Sequence, residues 1–121
     1  SFTLRQEPPP IAALRAAGVR VVIASDAKPG TAPTESLPLA MALAVRMYGL
    51  TVAETILGAT REAAASLGLG ETTGMLREGF AGDLAVWGHR HENAIVQPWG
   101  VPQTRGVYRD GEWLLGSPLS M

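Results

Sequence analysis

The sequence predicts an α/β fold, and three observations support that prediction. Residues 19–25 form a nearly continuous apolar run rich in β-branched side chains, which is typical of a parallel strand covered on both faces. Residues 37–45 are then apolar on every side, apolar residues recur at helical spacing from Ile56 to Leu67, and the spacing shortens toward two in the tail. With 121 residues, the chain is too short for a closed (β/α)₈ barrel, which needs roughly 250 residues. The first half therefore resembles a piece of an α/β barrel, and the tail resembles part of a separate β layer.

Three helices are predicted in the first half. A short helix at residues 11–17 follows three prolines and ends at Gly18. The second begins near Thr34 and is apolar on every side over residues 37–45, so we expect it to be buried. The third begins with a capping box at residues 51–54 and continues to Leu67, where Gly68 and Gly70 end it.

The β-rich tail contains three predicted strands. Residues 83–87 form the first. Residues 107–109 and 112–114 form the other two, joined through Asp110 and Gly111. An Asp-Gly pair favours a type I′ hairpin turn, because both central residues of that turn need a positive φ.

Composition narrows the classes of function. A net charge of −1 with scattered basic residues argues against nucleic-acid binding. The nine-residue apolar stretch is far below the roughly 20 residues that span a membrane, and no cysteine or signal peptide is present, so a cytoplasmic protein is expected. Charged residues make up only 17% of the chain. We therefore expect part of its surface to be covered, by another copy or by a missing segment.

The loop after the first strand holds the candidate functional residues. Asp26 follows the predicted strand directly, at the end where α/β folds gather catalytic and metal-binding groups, although aspartate also caps turns there. Lys28 could bind a substrate carboxylate or simply be solvated. Gly30 and Thr31 could let a small ligand approach the backbone, or could only form a turn.

Two other patterns are interpreted as structural. His89 and His91 have the spacing of a zinc-binding pair, but they follow the strand in a polar connection, so we expect them to be solvated. Trp87, Trp99 and Trp113 lack the interleaved basic residues of a base-stacking surface and are expected to pack in the core or the sheet.

Residues 21–33, VVIASDAKPGTAP, closely resemble the eighth barrel strand and loop of imidazolonepropionases, which belong to the amidohydrolase superfamily. The resemblance continues through residues 50–61 and through residues 74–87, where the superfamily returns to its small β domain. It implies that residues 1–73 are the last βα units of a (β/α)₈ amidohydrolase barrel. Residues 74–121 would then be strands of the composite β-sandwich domain, making the chain a C-terminal fragment.

The family resemblance also implies a site and a reaction. Its members hold one zinc or iron ion through histidines of earlier strands and an aspartate that Asp26 matches, so Asp26 is expected to be both a metal ligand and a catalytic base. Lys28, Gly30 and Thr31 match positions that contact the substrate. The implied reaction opens the ring of 4-imidazolone-5-propanoate to N-formimidoyl-L-glutamate in histidine degradation.

The sequence also departs from the family. Lys28 and Glu62 stand where the family usually or commonly has asparagine, and the histidine ligands do not occur in this chain. Two alternatives therefore remain open at this stage. The chain could come from another amidohydrolase, such as a deaminase or deacetylase, or it could be a non-catalytic interaction domain that lost its metal centre.

Overall fold

The structure is a computed structural model that describes residues 5–116. Four short helices precede a three-stranded antiparallel sheet, with a 3₁₀ helix inserted after the first strand. The helices are α1 (Ile11–Ala16), α2 (Leu37–Tyr48), α3 (Val52–Ala59) and α4 (Arg61–Ser66), the 3₁₀ helix is Glu92–Val96, and the strands are β1 (Leu84–Trp87), β2 (Thr104–Arg109) and β3 (Glu112–Gly116).

Helix α2 begins later than the sequence predicted, at Leu37 instead of near Thr34. The reason is local, because the Ser36 hydroxyl accepts a hydrogen bond from the Leu39 N–H at 3.3 Å and so caps the helix. Pro38 lies in the first turn, as expected, where no N–H is needed.

The single helix predicted from Thr51 to Leu67 is wrong, because the structure divides it at Thr60. Thr60 has φ −125° and ψ −90°, outside the helical region. Its hydroxyl donates to the Ile56 carbonyl at 2.7 Å, a local bond that competes with regular helix geometry. The capping box at the start of α3 is confirmed, with Thr51 and Glu54 bonded to each other's backbone N–H.

The strand predicted at residues 19–25 is also wrong. The segment is extended but has no strand beside it within the part of the chain that the structure describes. Two isolated hydrogen bonds hold its backbone. The Val19 N–H donates to the Leu14 carbonyl oxygen, and the Ile23 N–H donates to the Gly58 carbonyl oxygen. Val21 and Ile23 are half-buried and Val22 is exposed, so one face is covered where the sequence predicted two.

The sheet has the order β1-β2-β3, with Leu84 opposite Tyr108 and Arg109 opposite Glu112. The predicted hairpin is confirmed: Asp110 and Gly111 both have positive φ, at 50° and 81°. Trp87 in β1 and Trp113 in β3 lie in the sheet, one of the two places predicted for the tryptophans. Trp99 lies in the loop before β2 and is 49% exposed, so the prediction is wrong for this residue.

Two small hydrophobic clusters connect the helices. Ile11, Ala44 and Leu50 form one, and Met41, Ala42 and Val96 of the 3₁₀ helix form the other. Ile23 packs against both clusters, so the extended segment is fixed at this residue. The burial predicted for α2 is confirmed for Met41, Ala42 and Ala44, which belong to these clusters. Among residues 5–116, no helix is long and apolar enough to cross a membrane.

Candidate active site

Asp26 lies in the loop directly after the extended segment. Its φ of +50° is in the left-handed region, which aspartate tolerates better than most residues because its short side chain can bond locally. The chain is anchored on both sides of Asp26. Before it, the Ile23 N–H donates to the Gly58 carbonyl oxygen at 3.0 Å, and after it, Lys28 and Ala32 exchange two backbone hydrogen bonds. The position of Asp26 is therefore set by two neighbouring contacts.

Residues 28–32 form a tight turn that projects the other candidate residues. The Lys28 N–H donates to Ala32 at 2.9 Å and the Ala32 N–H donates back at 3.0 Å, which leaves Gly30 at the tip. An ideal Cβ built on Gly30 would meet no atom within 4 Å. The space around this backbone is therefore open to a small molecule. Thr31 is half-buried at the base of the turn.

The ammonium group of Lys28 is bound to the Asp26 carboxylate. Its Nζ lies 2.9 Å from Oδ1 and 3.0 Å from Oδ2, so both oxygens face the same cation. The side chains are 61% and 64% exposed for Lys28 and Asp26, respectively, so water and ligands can reach the pair. This pairing is not among the sequence predictions, which treat the two residues separately. The signal was available, because Lys28 is the only lysine in the sequence and stands two residues from Asp26.

The described residues do not fit a metal centre by themselves. Within residues 5–116, no group of three or more His, Cys, Asp and Glu side chains could hold a metal ion. His89 and His91 are exposed in the connection after β1, as expected, and the His91 Nδ1 accepts the Asn93 N–H at 3.1 Å. Catalytic zinc usually has three protein ligands, and Asp26 would supply one.

A second group of charged residues lies where α1, α3 and α4 meet the extended segment. Arg15 holds the Glu54 carboxylate through two bonds of 2.7 and 2.9 Å, and together with the Thr51 N–H it lowers the pKa of Glu54 to about 2. Glu62 lies between Arg20, at 3.6 Å, and Arg61, at 2.6 Å. The sequence predictions do not include these pairs. The Arg15–Glu54 pair joins α1 to α3, and the Arg20–Glu62 pair joins the extended segment to α4.

One cavity in the described part of the chain has a volume of about 350 Å³, and Asp26 does not line it. It is formed by the N-terminus of α2, the 3₁₀ helix and the loop at residues 98–103. Its walls carry Trp99, Gln103 and several prolines but no charged side chain. It therefore lacks a group for acid–base chemistry, and the loop of Asp26 remains the better candidate for an active site.

Comparisons with known proteins agree on one family. Residues 3–114 match the sequence model of the amidohydrolase family. The chain is similar to three proteins named imidazolonepropionase. It is 54% identical over 79 residues to that of Rhizobium rhizogenes, covering 65% of this chain and 19% of the relative. The Ralstonia nicotianae protein is 43% identical over 103 residues, covering 85% and 25%. The Maricaulis maris protein is 44% identical over 105 residues, covering 87% and 26%.

The fold is similar to a solved structure as well. The crystal structure of an amidohydrolase from Thermotoga maritima MSB8 superposes with a TM-score of 0.70 at 27% identity, covering 88% of this chain and 26% of that one. Across these comparisons, the chain spans between 19% and 26% of the length of the proteins it matches.

Proposed function

This chain belongs to the amidohydrolase family, and we propose that it is the C-terminal part of an imidazolonepropionase-like hydrolase with Asp26 in its active site. The observation that carries the proposal is the position of Asp26. Its carboxylate is exposed at the end of an extended apolar segment and is anchored on both sides by backbone hydrogen bonds. The relatives' name supports imidazolonepropionase over another cyclic amidohydrolase, such as a deaminase or deacetylase.

The proposed reaction is hydrolysis of the ring amide of 4-imidazolone-5-propanoate. A water oxygen bonds to the carbonyl carbon, the ring C–N bond breaks, and the departing nitrogen takes a proton, which yields N-formimidoyl-L-glutamate. Asp26 would take the proton from the attacking water. A carboxylate suits this step because it is ionised at neutral pH and accepts hydrogen bonds at both oxygens. Positioned proton transfer of this kind contributes about 10²–10⁴ in rate.

Amidohydrolases are generally metal-dependent, and zinc or iron is the proposed metal. Asp26 would be one ligand, and the other ligands would come from outside the described residues, because those residues do not form a metal centre. We also propose that residues 1–73 are the last βα units of a (β/α)₈ barrel and that residues 74–121 belong to a small composite β-sandwich domain.

The turn after Asp26 would bind the substrate. Gly30 has open space around its backbone, which allows a ring to approach closely. Thr31 lies beside it at the base of the turn. Lys28 carries the charge that would attract the propanoate group, and its ion pair with Asp26 is exposed enough to exchange partners.

Exposed apolar side chains support a longer polypeptide or an oligomer. Leu76 is 86% exposed, and Leu115 on the edge strand β3 is 65% exposed. The extended segment at residues 19–25 also lacks a neighbouring strand within residues 5–116. The remainder of an amidohydrolase chain, or a second copy, would cover these surfaces and complete the sheet.

The test is the variant Asp26→Asn in the full-length polypeptide that carries this segment. We expect kcat for ring opening of 4-imidazolone-5-propanoate to fall by about 10²–10⁴, because the amide keeps the shape but cannot take a proton. Glu35→Gln is a matched control, since Glu35 is also exposed and makes the same carboxylate-to-amide change outside the proposed site. Asp26→Asn with kcat within threefold of the wild type would contradict the proposal. Equal inactivity of the wild type and Asp26→Asn on cyclic amides would favour a non-catalytic interaction domain.

A further inference from the structure

We infer that Gly58 is a positioning residue for Asp26, because its missing side chain lets α3 lie against the segment that carries Asp26. The inference rests on the proposed function, since Gly58 affects catalysis only if Asp26 takes part in it. Gly58 is the second-to-last residue of α3 and is buried. No sequence motif singled it out.

The space beside Gly58 is too small for any side chain. An ideal Cβ at this position would lie 2.9 Å from the Val21 carbonyl oxygen and 3.0 Å from the Ile23 Cγ1. Ordinary van der Waals contacts of a Cβ are 3.4–4 Å. The Val21 oxygen belongs to the backbone and cannot rotate away as a side chain could. An alanine at residue 58 would therefore push α3 and the extended segment apart by several tenths of an ångström.

The same residue also supplies the hydrogen bond that holds the segment. The Gly58 carbonyl oxygen accepts the Ile23 N–H at 3.0 Å. Ile23 lies three residues before Asp26 and packs against both hydrophobic clusters. A displacement at Ile23 is therefore passed along a short stretch of backbone to Asp26. Glycine weakens a helix interior relative to alanine, so its presence here is explained by the close approach and not by helix stability.

Hydrogen exchange and NMR spectra of the chain test the inference directly. In Gly58→Ala, we expect the Ile23 amide to exchange at least tenfold faster, because its acceptor has moved. The amide signals of Asp26 and the Nζ signal of Lys28 should shift, while those of β1 to β3 should not. Since Lys28 is the only lysine, selective labelling gives a single lysine side-chain signal. Gly30→Ala is the matched control, because it makes the same change in open space and should leave Ile23 exchange unaltered.

Two results would overturn the inference. One is wild-type exchange at Ile23 together with unchanged Asp26 signals in Gly58→Ala. The other applies if Gly58→Ala fails to fold. Ile23→Ala with Gly58 retained then tests the same contact without adding an atom, because it removes the Cγ1 that faces Gly58. Asp26 amide signals that do not move in Ile23→Ala would overturn the inference.

The activity of the full-length polypeptide separates this inference from the proposed function. A misplacement of about 1 Å at a catalytic group costs on the order of 100-fold in rate, so Gly58→Ala should lower kcat by about 10-fold to 100-fold. KM should stay within threefold, because the turn that would contact the substrate is closed by its own hydrogen bonds. If the Asp26 signals shift but kcat does not change, the catalytic role of Asp26 is wrong and the positioning by Gly58 stands.

Discussion

Under the proposed function, the ion pair between Lys28 and Asp26 would make substrate binding a competition between two carboxylates, that of Asp26 and that of the substrate. If Lys28 binds the substrate propanoate, it must first leave Asp26. A charge-assisted hydrogen bond to the substrate contributes about 1.5–3 kcal/mol. Breaking an ion pair this exposed costs about 0–1 kcal/mol. The net contribution is then about 0.5–3 kcal/mol, which corresponds to roughly 2-fold to 150-fold in affinity.

Steady-state kinetics of Lys28→Asn in the full-length polypeptide check this estimate. We expect KM for 4-imidazolone-5-propanoate to rise within that range, because asparagine cannot supply the positive charge. An analogue with a neutral amide in place of the propanoate should keep the same KM in both proteins. Lys28→Arg keeps the charge and should restore part of the affinity. Equal KM values for both proteins on both compounds would show that Lys28 does not contact the substrate.

Two further predictions concern carboxylates whose pKa values lie below their ordinary range. Glu54 has a pKa of about 2, against an ordinary value of 4.5, so its contribution to stability is present above pH 4.5 and lost as the pH falls toward 2. Glu54→Gln keeps the capping acceptor but loses the ion pair with Arg15, so thermal unfolding should show a smaller loss of stability across that range. Asp83 has a lowered pKa because its carboxylate accepts the Asp110 N–H at 3.0 Å and the Thr73 hydroxyl at 2.9 Å. Asp83→Asn should therefore destabilise the hairpin at neutral pH and show less further loss below pH 3.8. Melting temperatures of either variant that follow the wild type across pH 2–7 would contradict that assignment.

Features that depend on neighbouring residues could be predicted from the sequence. The capping box of Thr51 and Glu54 closes over three residues, and the turn at Asp110 and Gly111 closes over two, so both motifs determine their own geometry. The loop that carries Asp26 was also located correctly, because breakers follow an apolar run directly. The break at Thr60 was missed, since threonine occurs in regular helices and its bond to Ile56 is one of several local options.

The amino-acid sequence by itself therefore determined the capping box of α3 and the hairpin at Asp110 and Gly111, because their hydrogen bonds form within a few residues. Tertiary structure decided what the segment at residues 19–25 becomes, because a strand needs a partner and local sequence cannot provide one. It likewise decided the close approach of Gly58 to Val21 and Ile23 and the pairing of Arg15 with Glu54, across 35 or more positions of the chain. Such contacts depend on how the helices pack, which local propensity leaves open.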